Sequence, residues 1–417
     1  MPKAGLPTVE TIVRELNAVE KFEKVERRIK KNDTIAGYYE GHAELLMSAT
    51  GARQPCELPK KDFTLWNACK RSARDMPKCC ALWQMDRYSK QHIKDVKKTN
   101  SCRNRFCENC QKVLATKRDR KYTPFLEALE KNFDIYAITV TVPNCERDKL
   151  GETISRMFYN FGYINRLFNG NAKIRGMDFS YYGYAGGLRA LEITKNDETG
   201  MFHPHFHCLF IFRKGLKLDQ NRWHKNAYSF NNADVKRSHK KKDPNKPEIR
   251  YFSDFEIKLQ KIWRLRYDGV KVTQENIKNL SIGYSVVCEY CDPKDKTRFH
   301  EAFKYGMKGI FKEGESPLLG QYDFDVLLPA LYGRRIIQGY KILNAFDFEE
   351  TRAATEAQER KYLFVLAKLQ EVEAPEKIYQ YLNSIHEEIK GKKTRFISRS
   401  KLDELMLEDY GADENGE

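Results

Sequence analysis

Three histidines, His203, His205 and His207, fall within five residues of this chain. The apolar run at residues 208–212 follows them directly and predicts a strand. Side chains alternate between the two faces of a strand, so His205 and His207 should point the same way. Two imidazoles on one face can bind a divalent metal ion; surface histidines at a strand end are the alternative. Pro204 cannot donate to a sheet, so we expect the strand to begin after it.

A glutamate occupies the strand that is predicted just before these histidines. Residues 184–194 form the strand candidate, and Glu192 stands there between apolar neighbours. A carboxylate on a core strand needs a partner. A hairpin between the two strands would bring Glu192 close to His205 and His207. Two histidines and one carboxylate suit a hard or borderline divalent ion that keeps open positions for a substrate.

A second group of possible metal ligands consists of cysteines. Cys102, Cys107 and Cys110 follow the pattern C-x4-C-x2-C, in which the last two have the turn spacing that lets two thiolates bind one Zn²⁺. A structural zinc site takes four ligands, and Cys79 or Cys80 is the best fourth. We choose Cys79 for the prediction. Scattered buried thiols, the alternative, do not explain three cysteines in nine residues.

The other cysteines with suggestive positions are weaker candidates. Cys56 and Cys69 lie farther from the C-x4-C-x2-C pattern. Cys288 and Cys291 have the spacing of half a zinc site, but no second pair accompanies them. We therefore predict that these two are unligated thiols.

Composition favours a nucleic-acid partner. The chain has 417 residues, enough for two or three domains, a formal net charge of +16 and an isoelectric point of about 9.2. Such a charge attracts a polyanion, and aromatic side chains between lysines and arginines could stack bases. The sequence has no apolar stretch of transmembrane length and no signal-peptide core near its start. We expect a cytoplasmic protein without a membrane partner, whose 11 cysteines are not disulfides.

Two basic groups are candidates for contact with DNA. One lies beside the zinc cysteines and the other lies in the polar stretch 214–250, for which a solvated insert is the alternative. The candidate residues are Arg103, Arg105, Lys240, Lys241 and Lys242.

A possible nucleophile lies on a predicted helix at residues 299–308. Glu301 and Tyr305 are four residues apart, as are Lys304 and Lys308, so each pair shares a helix face. A tyrosine beside a carboxylate and lysines could serve in phosphoryl transfer. Tyrosine on a helix is more often a packing residue, so this pattern gains weight only from the histidine strand.

The pattern of elements predicts an α+β fold with a central antiparallel sheet flanked by helices. We expect the histidine strand at the centre, a peripheral amphipathic helix at residues 9–31 and charged helices at 350–410. The predicted divisions are an N-terminal helical and charged region (1–75), a zinc-binding module (76–122), a catalytic domain (123–345) and a C-terminal helical region with an acidic tail (346–417).

The order of the motifs carries a resemblance to a known family. C-x4-C-x2-C is followed by T-V-T-V-P-N, L-E-I-T, H-P-H-F-H and E-A-F-K-Y-G-M-K, over about residues 79–345. This order resembles the Rep_1 family of rolling-circle plasmid replication initiators, within the HUH endonuclease superfamily. Any one motif is unspecific, whereas the five in this order and spacing are specific. The resemblance implies the HUH/Rep nuclease fold for residues 123–345.

The resemblance also implies roles for the site residues. HUH enzymes cut one DNA strand with a tyrosine, leaving a 5′-phosphotyrosyl link and a 3′-OH that primes replication. Tyr305 matches the nucleophile, and Glu301 matches the residue that activates water to end the cycle. His205 and His207 match the histidine pair, and Glu192 matches the acidic residue, that together would hold Mn²⁺ or Mg²⁺.

Other features are less well covered by the resemblance. Lys304 and Lys308 would contact phosphate or substrate. His203 departs from the bare two-histidine pattern and could lie behind the metal ligands or face DNA. The resemblance explains neither the basic stretch near 236–247 nor residues 1–75.

The resulting prediction is a metal-dependent DNA nickase and strand transferase that initiates rolling-circle replication at a plasmid origin. It would act on an origin stem-loop or single-stranded DNA, with Zn²⁺ as a structural ion, and with a host helicase and a second copy of itself as possible partners. The rivals are an HUH-type transposase or relaxase and a non-catalytic zinc-containing DNA-binding regulator. A hydrolase of small phosphoesters is disfavoured by the net charge.

Overall fold

The described residues divide into two compact units. The computed structural model describes residues 9–80, 82–88, 93–196, 199–225, 251–303, 320–344 and 392–398. The first unit comprises the described residues up to Gln111 together with 392–398, and the second runs from Lys112 to Asn344. Helices and strands are mixed throughout, which confirms the α+β class. Within the described ranges, no helix is long and apolar enough to cross a membrane.

The elements are numbered in chain order. The helices are α1 (Val9–Thr50), α2 (Lys60–Asp75), α3 (Glu108–Leu129), α4 (Leu150–Phe168), α5 (Asp254–Tyr267), α6 (Gln274–Asn279), α7 (His300–Phe303) and α8 (Gln321–Leu331). The strands are β1 (Leu82–Tyr88), β2 (Ile93–Thr99), β3 (Phe133–Thr141), β4 (Gly186–Lys195), β5 (Phe202–Arg213), β6 (His224–Lys225), β7 (Tyr251–Phe252), β8 (Val286–Tyr290), β9 (Ile337–Lys341) and β10 (Lys392–Ser398). Single 3₁₀ turns lie at Pro55–Glu57, Arg147–Lys149 and Ser180–Tyr182.

The N-terminal helix is longer than predicted and is not peripheral along its whole length. α1 continues to Thr50, and Ile35, Tyr39 and Ala43 in its second half are buried. These residues recur at helical spacing on one face, and α1 packs on α2. The charged residues before position 31 concealed this apolar stripe because they dominate the first half of the helix.

The first unit also contains a three-stranded sheet in the order β10–β1–β2. β10 pairs antiparallel with β1, so the described residues 392–398 form a strand where charged helices were predicted. Thr394, Phe396 and Ile397 favour an extended chain. The pairing joins segments about 300 residues apart, so local periodicity could not show it. The rest of the predicted C-terminal helical region, including the acidic tail, lies outside the described residues.

The second unit is built on a five-stranded antiparallel sheet in the order β8–β3–β5–β4–β9. β5, the histidine strand, is the central strand, as predicted. Opposite residues along the β4–β5 hairpin include Glu192 with His205, and along β3–β5 they include Thr139 with His207. The register therefore brings the predicted ligands together on neighbouring strands.

Helices cover both faces of this sheet. On one face, aromatic side chains of α4 and α5 pack edge-on against β5, as in the ring pairs Phe161–Phe206 at 5.3 Å and Phe206–Trp263 at 6.5 Å. On the other face, side chains of α3 and α7 pack against alternate residues of β4 and β5; Tyr122 and Phe303 stack there at 5.5 Å. Alternation along the strands places Glu192, His205 and His207 on this second face.

The histidine strand begins earlier than predicted. β5 starts at Phe202, so Pro204 lies inside it. Phe202 exchanges two backbone hydrogen bonds with Cys145. The backbone nitrogen of Pro204, two residues further along, points to the same side of β5 as that of Phe202. The β3 ladder has already ended there, at the pair Thr141–His205. The missing N–H of Pro204 therefore falls where the neighbouring strand offers no ladder partner.

Candidate metal centres

Four cysteine sulfurs converge in the first unit. Cys79 Sγ lies 3.8 Å from Cys107 Sγ and 3.6 Å from Cys110 Sγ, and Cys102 Sγ lies 3.6 Å from Cys110 Sγ. All four sulfurs lie within 4.8 Å of one another. Tetrahedral zinc with Zn–S bonds of about 2.3 Å requires sulfurs about 3.8 Å apart. The four thiols therefore fit a structural Zn²⁺.

The cysteine site is assembled from connections rather than from regular elements. Cys79 lies in the turn after α2, Cys102 lies in the loop after β2, and Cys107 and Cys110 lie just before and within the first turn of α3. One helical turn separates Cys107 from Cys110, so their sulfurs share one side of the helix start. A zinc ion bound by the four cysteines would cross-link these connections.

Helix α1 supports the loop between Cys102 and Cys107. The hydroxyl of Tyr39 donates to Asn104 Oδ1 at 3.0 Å, and the same oxygen accepts the backbone N–H of Phe106 at 2.8 Å. The ring of Phe106 packs edge-on against that of Tyr39. Lys31 of α1 pairs with the buried Glu108 at 3.0 Å, at the start of α3. The loop is thus held in place by side chains beyond its own cysteines.

The structure groups Cys79, and not Cys80, with the other three cysteines. Cys80 has a left-handed backbone, with φ of 59°, and lies outside the group of four. Its sulfur accepts a hydrogen bond from Asn109 Nδ2 at 3.1 Å and lies 3.9 Å from Cys79 Sγ. Sequence spacing alone left these two adjacent cysteines equivalent; the contacts of their sulfurs separate them.

The four clustered thiols shift one another's pKa values. Hydrogen bonds from Cys102, Cys110 and Cys79 hold the pKa of Cys107 well below its ordinary value. The hydrogen bond to Cys107, followed by those to Cys110 and Cys79, raises the pKa of Cys102. Cysteine binds metal as the thiolate, so binding of a divalent ion at this site would release protons from the cluster.

The second centre lies on the sheet of the second unit. Glu192 Oε2 lies 2.7 Å from His207 Nε2 and 3.4 Å from His205 Nε2. The three ligand atoms lie within 4.8 Å of one another, although Glu192 is 13 residues before His205 in the chain. The β4–β5 register produces this approach because Glu192 and His205 are directly opposite. The three predicted ligands are thus brought together.

The orientation of His205 favours a cation in this group. His205 is 6% exposed, and its Nδ1 lies 3.1 Å from the backbone oxygen of His203. Donation from Nδ1–H to that oxygen leaves the Nε2 lone pair facing the Glu192 carboxylate. Two electron-rich atoms face each other unless a proton or a metal ion lies between them. The arrangement therefore fits a divalent ion bound by two Nε2 atoms and one carboxylate oxygen.

Glu192 is ionised in this setting. Burial opposes the charge, but hydrogen bonds and ionic attraction from His205 and His207 outweigh it and lower the pKa of Glu192. An ionised carboxylate is the form that binds metal. Three protein ligands also leave positions open for water or a phosphate oxygen, unlike the closed cysteine site.

Two polar residues that contact histidines of β5 were not predicted as part of the site. Thr139 Oγ1 on β3 lies 3.5 Å from His207 Nδ1, and Asn144 Oδ1 lies 2.7 Å from His203 Nδ1. The alternation of β3 is the signal that could have identified Thr139, since residues 139 and 141 share a face and are opposite the histidines. Asn144 follows the strand in an irregular connection, and nothing in the sequence marks its contact.

The remaining predicted site residues are placed only in part. Tyr305, Lys304 and Lys308, and the basic residues at 240–242, lie outside the described residues. Glu301 lies in α7. Arg103 and Arg105, predicted to contact DNA, are half-buried, and burial lowers the pKa of Arg105.

Comparison with known proteins finds similar sequences for part of the chain. Residues 93–229 match the family model Rep_1, described as a replication protein. Protein rep of Staphylococcus aureus is 32% identical over 130 residues, which are 30% of this chain and 50% of that protein. Protein rep of Bacillus sp is 39% identical over 77 residues, 18% of this chain and 22% of that protein. Protein rep of Streptococcus pneumoniae serotype 2 is 28% identical over 115 residues, 27% of this chain and 33% of that protein.

The matched segment includes three of the four clustered cysteines and all of Glu192, His205 and His207. The chain spans half or less of the length of these curated relatives. No solved structure matches it significantly. Residues 93–229 are therefore similar to the Rep_1 family of replication proteins.

Proposed function

We propose that this protein initiates rolling-circle replication of a plasmid by nicking one strand of the origin. Tyr305 is the nucleophile in this proposal, and the group Glu192, His205 and His207 binds the Mn²⁺ or Mg²⁺ that the reaction requires. The products are a 5′-phosphotyrosyl link to the protein and a free 3′-OH. The observation that carries the proposal is the convergence of one carboxylate and two imidazoles on neighbouring strands.

The chemistry of the ligand set supports phosphoryl transfer. Attack of the Tyr305 oxygen on phosphorus forms one O–P bond and breaks the bond to the 3′-oxygen. The proton that the tyrosine hydroxyl loses balances the proton that the leaving 3′-oxygen takes up. A divalent ion bound at this site would neutralise charge on the non-bridging oxygens of the phosphate. Glu192 and the two histidines hold such an ion against the sheet. In the reverse direction, a 3′-OH attacks the phosphotyrosine and rejoins the strand.

The position of α7 supports Tyr305 in this role. Ala302 and Phe303 of α7 are buried against Leu188 and Leu209, on the sheet face that carries Glu192 and His205. Tyr305 follows Phe303 by two residues in the sequence. Glu301, on the same short helix, is the proposed base that activates water to release the protein.

The decisive experiment tests for a covalent protein–DNA adduct. Purified protein is incubated with Mn²⁺ and single-stranded fragments tiled across its replicon, and products are resolved on a denaturing gel. We expect one fragment to give an adduct with the wild type and none with Tyr305→Phe. Tyr181→Phe, on an exposed tyrosine of the same unit, is the matched control and should retain the adduct.

Other outcomes would change the proposal. DNA binding without any adduct across all fragments would indicate a zinc-containing DNA-binding regulator. An adduct that persists in Tyr305→Phe would mean that another residue is the nucleophile. Ligation of the adduct to a second strand offered with a free 3′-OH would establish the transferase step.

A further inference from the structure

A cluster of four side chains at the end of the β4–β5 hairpin remains unassigned. It consists of Arg147, Lys195, Tyr322 and Asp323 and is called here the rim cluster. We propose that the rim cluster binds single-stranded DNA outside the cut site, contacting one phosphate with its cations and stacking one base on Tyr322. This inference rests on the proposed function in taking DNA as the partner.

The cations of the rim cluster are fixed by one buried carboxylate. Asp323 is 7% exposed, and its Oδ2 accepts a hydrogen bond of 2.6 Å from Lys195 Nζ. Arg147 Nη2 forms an ion pair with Asp323 Oδ1 at 3.1 Å. Two cations meet one anion, so the cluster carries one positive charge beyond what Asp323 neutralises. A cationic side chain that is already held in place loses less conformational entropy on binding a phosphate than a freely moving lysine does.

Tyr322 adds a stacking surface to this charge. Its side chain is 66% exposed, although a tyrosine contributing only to the core would be covered. The Arg147 guanidinium lies 4.4 Å from the ring centroid on one side, which fixes the ring and leaves its other side to solvent. Aromatic rings beside cations are the elements from which single-strand binding sites are built.

The placement of the rim cluster connects it with the proposed active site. Lys195 is the last residue of β4 and lies three residues beyond Glu192, about 10 Å along the strand. The two side chains point to opposite faces, so the rim cluster cannot contact the phosphate that is cut. A single-stranded DNA that leaves the proposed active site over the end of the β4–β5 hairpin would pass the rim cluster. The rim cluster would then contact a nucleotide near, but not at, the cut.

The structure offers a matched control at the opposite end of the same sheet. Arg213, the last residue of β5, lies 4.3 Å from the ring centroid of Tyr181, which is 58% exposed. Arg213 is eight residues beyond His205, about 26 Å along the strand. The pair Arg213–Tyr181 has the same chemistry as Arg147–Tyr322 but lies far from the hairpin end.

The test measures binding without cleavage. Fluorescence anisotropy of a labelled oligonucleotide of about 20 thymidines is followed with the full chain carrying Tyr305→Phe. Adding Tyr322→Ala should weaken binding about tenfold, the loss expected for one stacked base, while Tyr322→Phe and Tyr181→Ala leave it within about twofold. Adding Arg147→Ala should lower the slope of log affinity against log salt by about 0.7, the value for one phosphate contact on a single strand.

The results separate this inference from the proposed function. Because the background lacks Tyr305, binding is scored independently of whether the wild type forms an adduct. Unchanged binding in Tyr322→Ala, with an unchanged melting temperature, would overturn the rim cluster as a DNA site. So would an equal loss in Tyr181→Ala, which would indicate diffuse binding by any exposed arginine–tyrosine pair.

Discussion

The cysteine site and the glutamate–histidine site differ in what holds their ligands. The cysteines come from a turn, a loop and the start of a helix, and their sulfurs are largely buried. The other ligands stand on adjacent strands whose backbone hydrogen bonds fix Glu192 opposite His205. At the first site a bound ion would cross-link the loops, whereas at the second the sheet itself holds the three side chains together.

This difference separates a structural role from a chemical one. Four soft thiolates close the coordination of Zn²⁺ and leave no position for substrate. Two imidazoles and a carboxylate leave positions open and suit an ion that exchanges ligands during a reaction. Loss of the ion should therefore affect stability at the cysteine site and activity at the glutamate–histidine site.

The largest expected effect is that of removing one zinc ligand. Cys79→Ser should abolish zinc binding and destabilise the first unit by several kcal/mol, because zinc binding in such sites supplies folding free energy. Cys80→Ser should retain the zinc, since the Cys80 sulfur bonds Asn109 and lies outside the group of four. Bound zinc per chain, measured by mass spectrometry of metals, and the melting temperature test both variants.

Comparing the two variants also tests whether Cys79, rather than Cys80, is the fourth zinc ligand. Equal zinc loss in Cys79→Ser and Cys80→Ser would mean that both sulfurs take part. Zinc retained in both would exclude position 79 as the fourth ligand.

The ligands on the sheet could be predicted from the sequence because they follow local rules. Alternation put His205 and His207 on one face, and a short connection to the preceding strand implied a hairpin that brings Glu192 to them. The expected central position of β5 is also confirmed. Each of these inferences needs only a few consecutive residues.

Features that depend on distant segments could not be predicted in this way. β10 owes its extended form to β1, which lies about 300 residues earlier. The rim cluster joins Arg147 to Tyr322 across 175 residues with no motif at either position. Sequence spacing does not distinguish Cys79 from Cys80, whereas in the structure Cys79 joins the group of four and the Cys80 sulfur contacts Asn109.

An intermediate effect is expected from Glu192→Gln. It should reduce Mn²⁺-dependent adduct formation at least about 100-fold, because it removes the one anionic ligand and with it several kcal/mol of ion binding. Zinc content should remain that of the wild type. The adduct yield over a Mn²⁺ titration, with zinc measured on the same samples, is the test.

The same variant has a defined pH signature in metal-free protein. The folded-state pKa of Glu192 lies below its ordinary value, so its ionised form stabilises the fold at higher pH. This contribution should be lost as the pH falls below the ordinary glutamate pKa of about 4.3. As the pH is lowered, the melting temperature of Glu192→Gln should decrease less steeply than that of the wild type. An identical acid profile would mean that His205 and His207 do not stabilise the carboxylate.

The smallest effect is expected from the residue behind His207. Thr139→Val should weaken the apparent Mn²⁺ affinity by about tenfold or less, the lower end for a partner that orients a metal ligand, because the Thr139 oxygen lies as far as 3.5 Å from His207 Nδ1. Thr141→Val is the matched control. It removes a hydroxyl from the same face of β3, but that hydroxyl donates to the backbone oxygen of Ser285 at 3.1 Å. The Mn²⁺ concentration for half-maximal adduct should rise in Thr139→Val and not in Thr141→Val; equal shifts would mean that packing of β3, and not the contact with His207, sets the affinity.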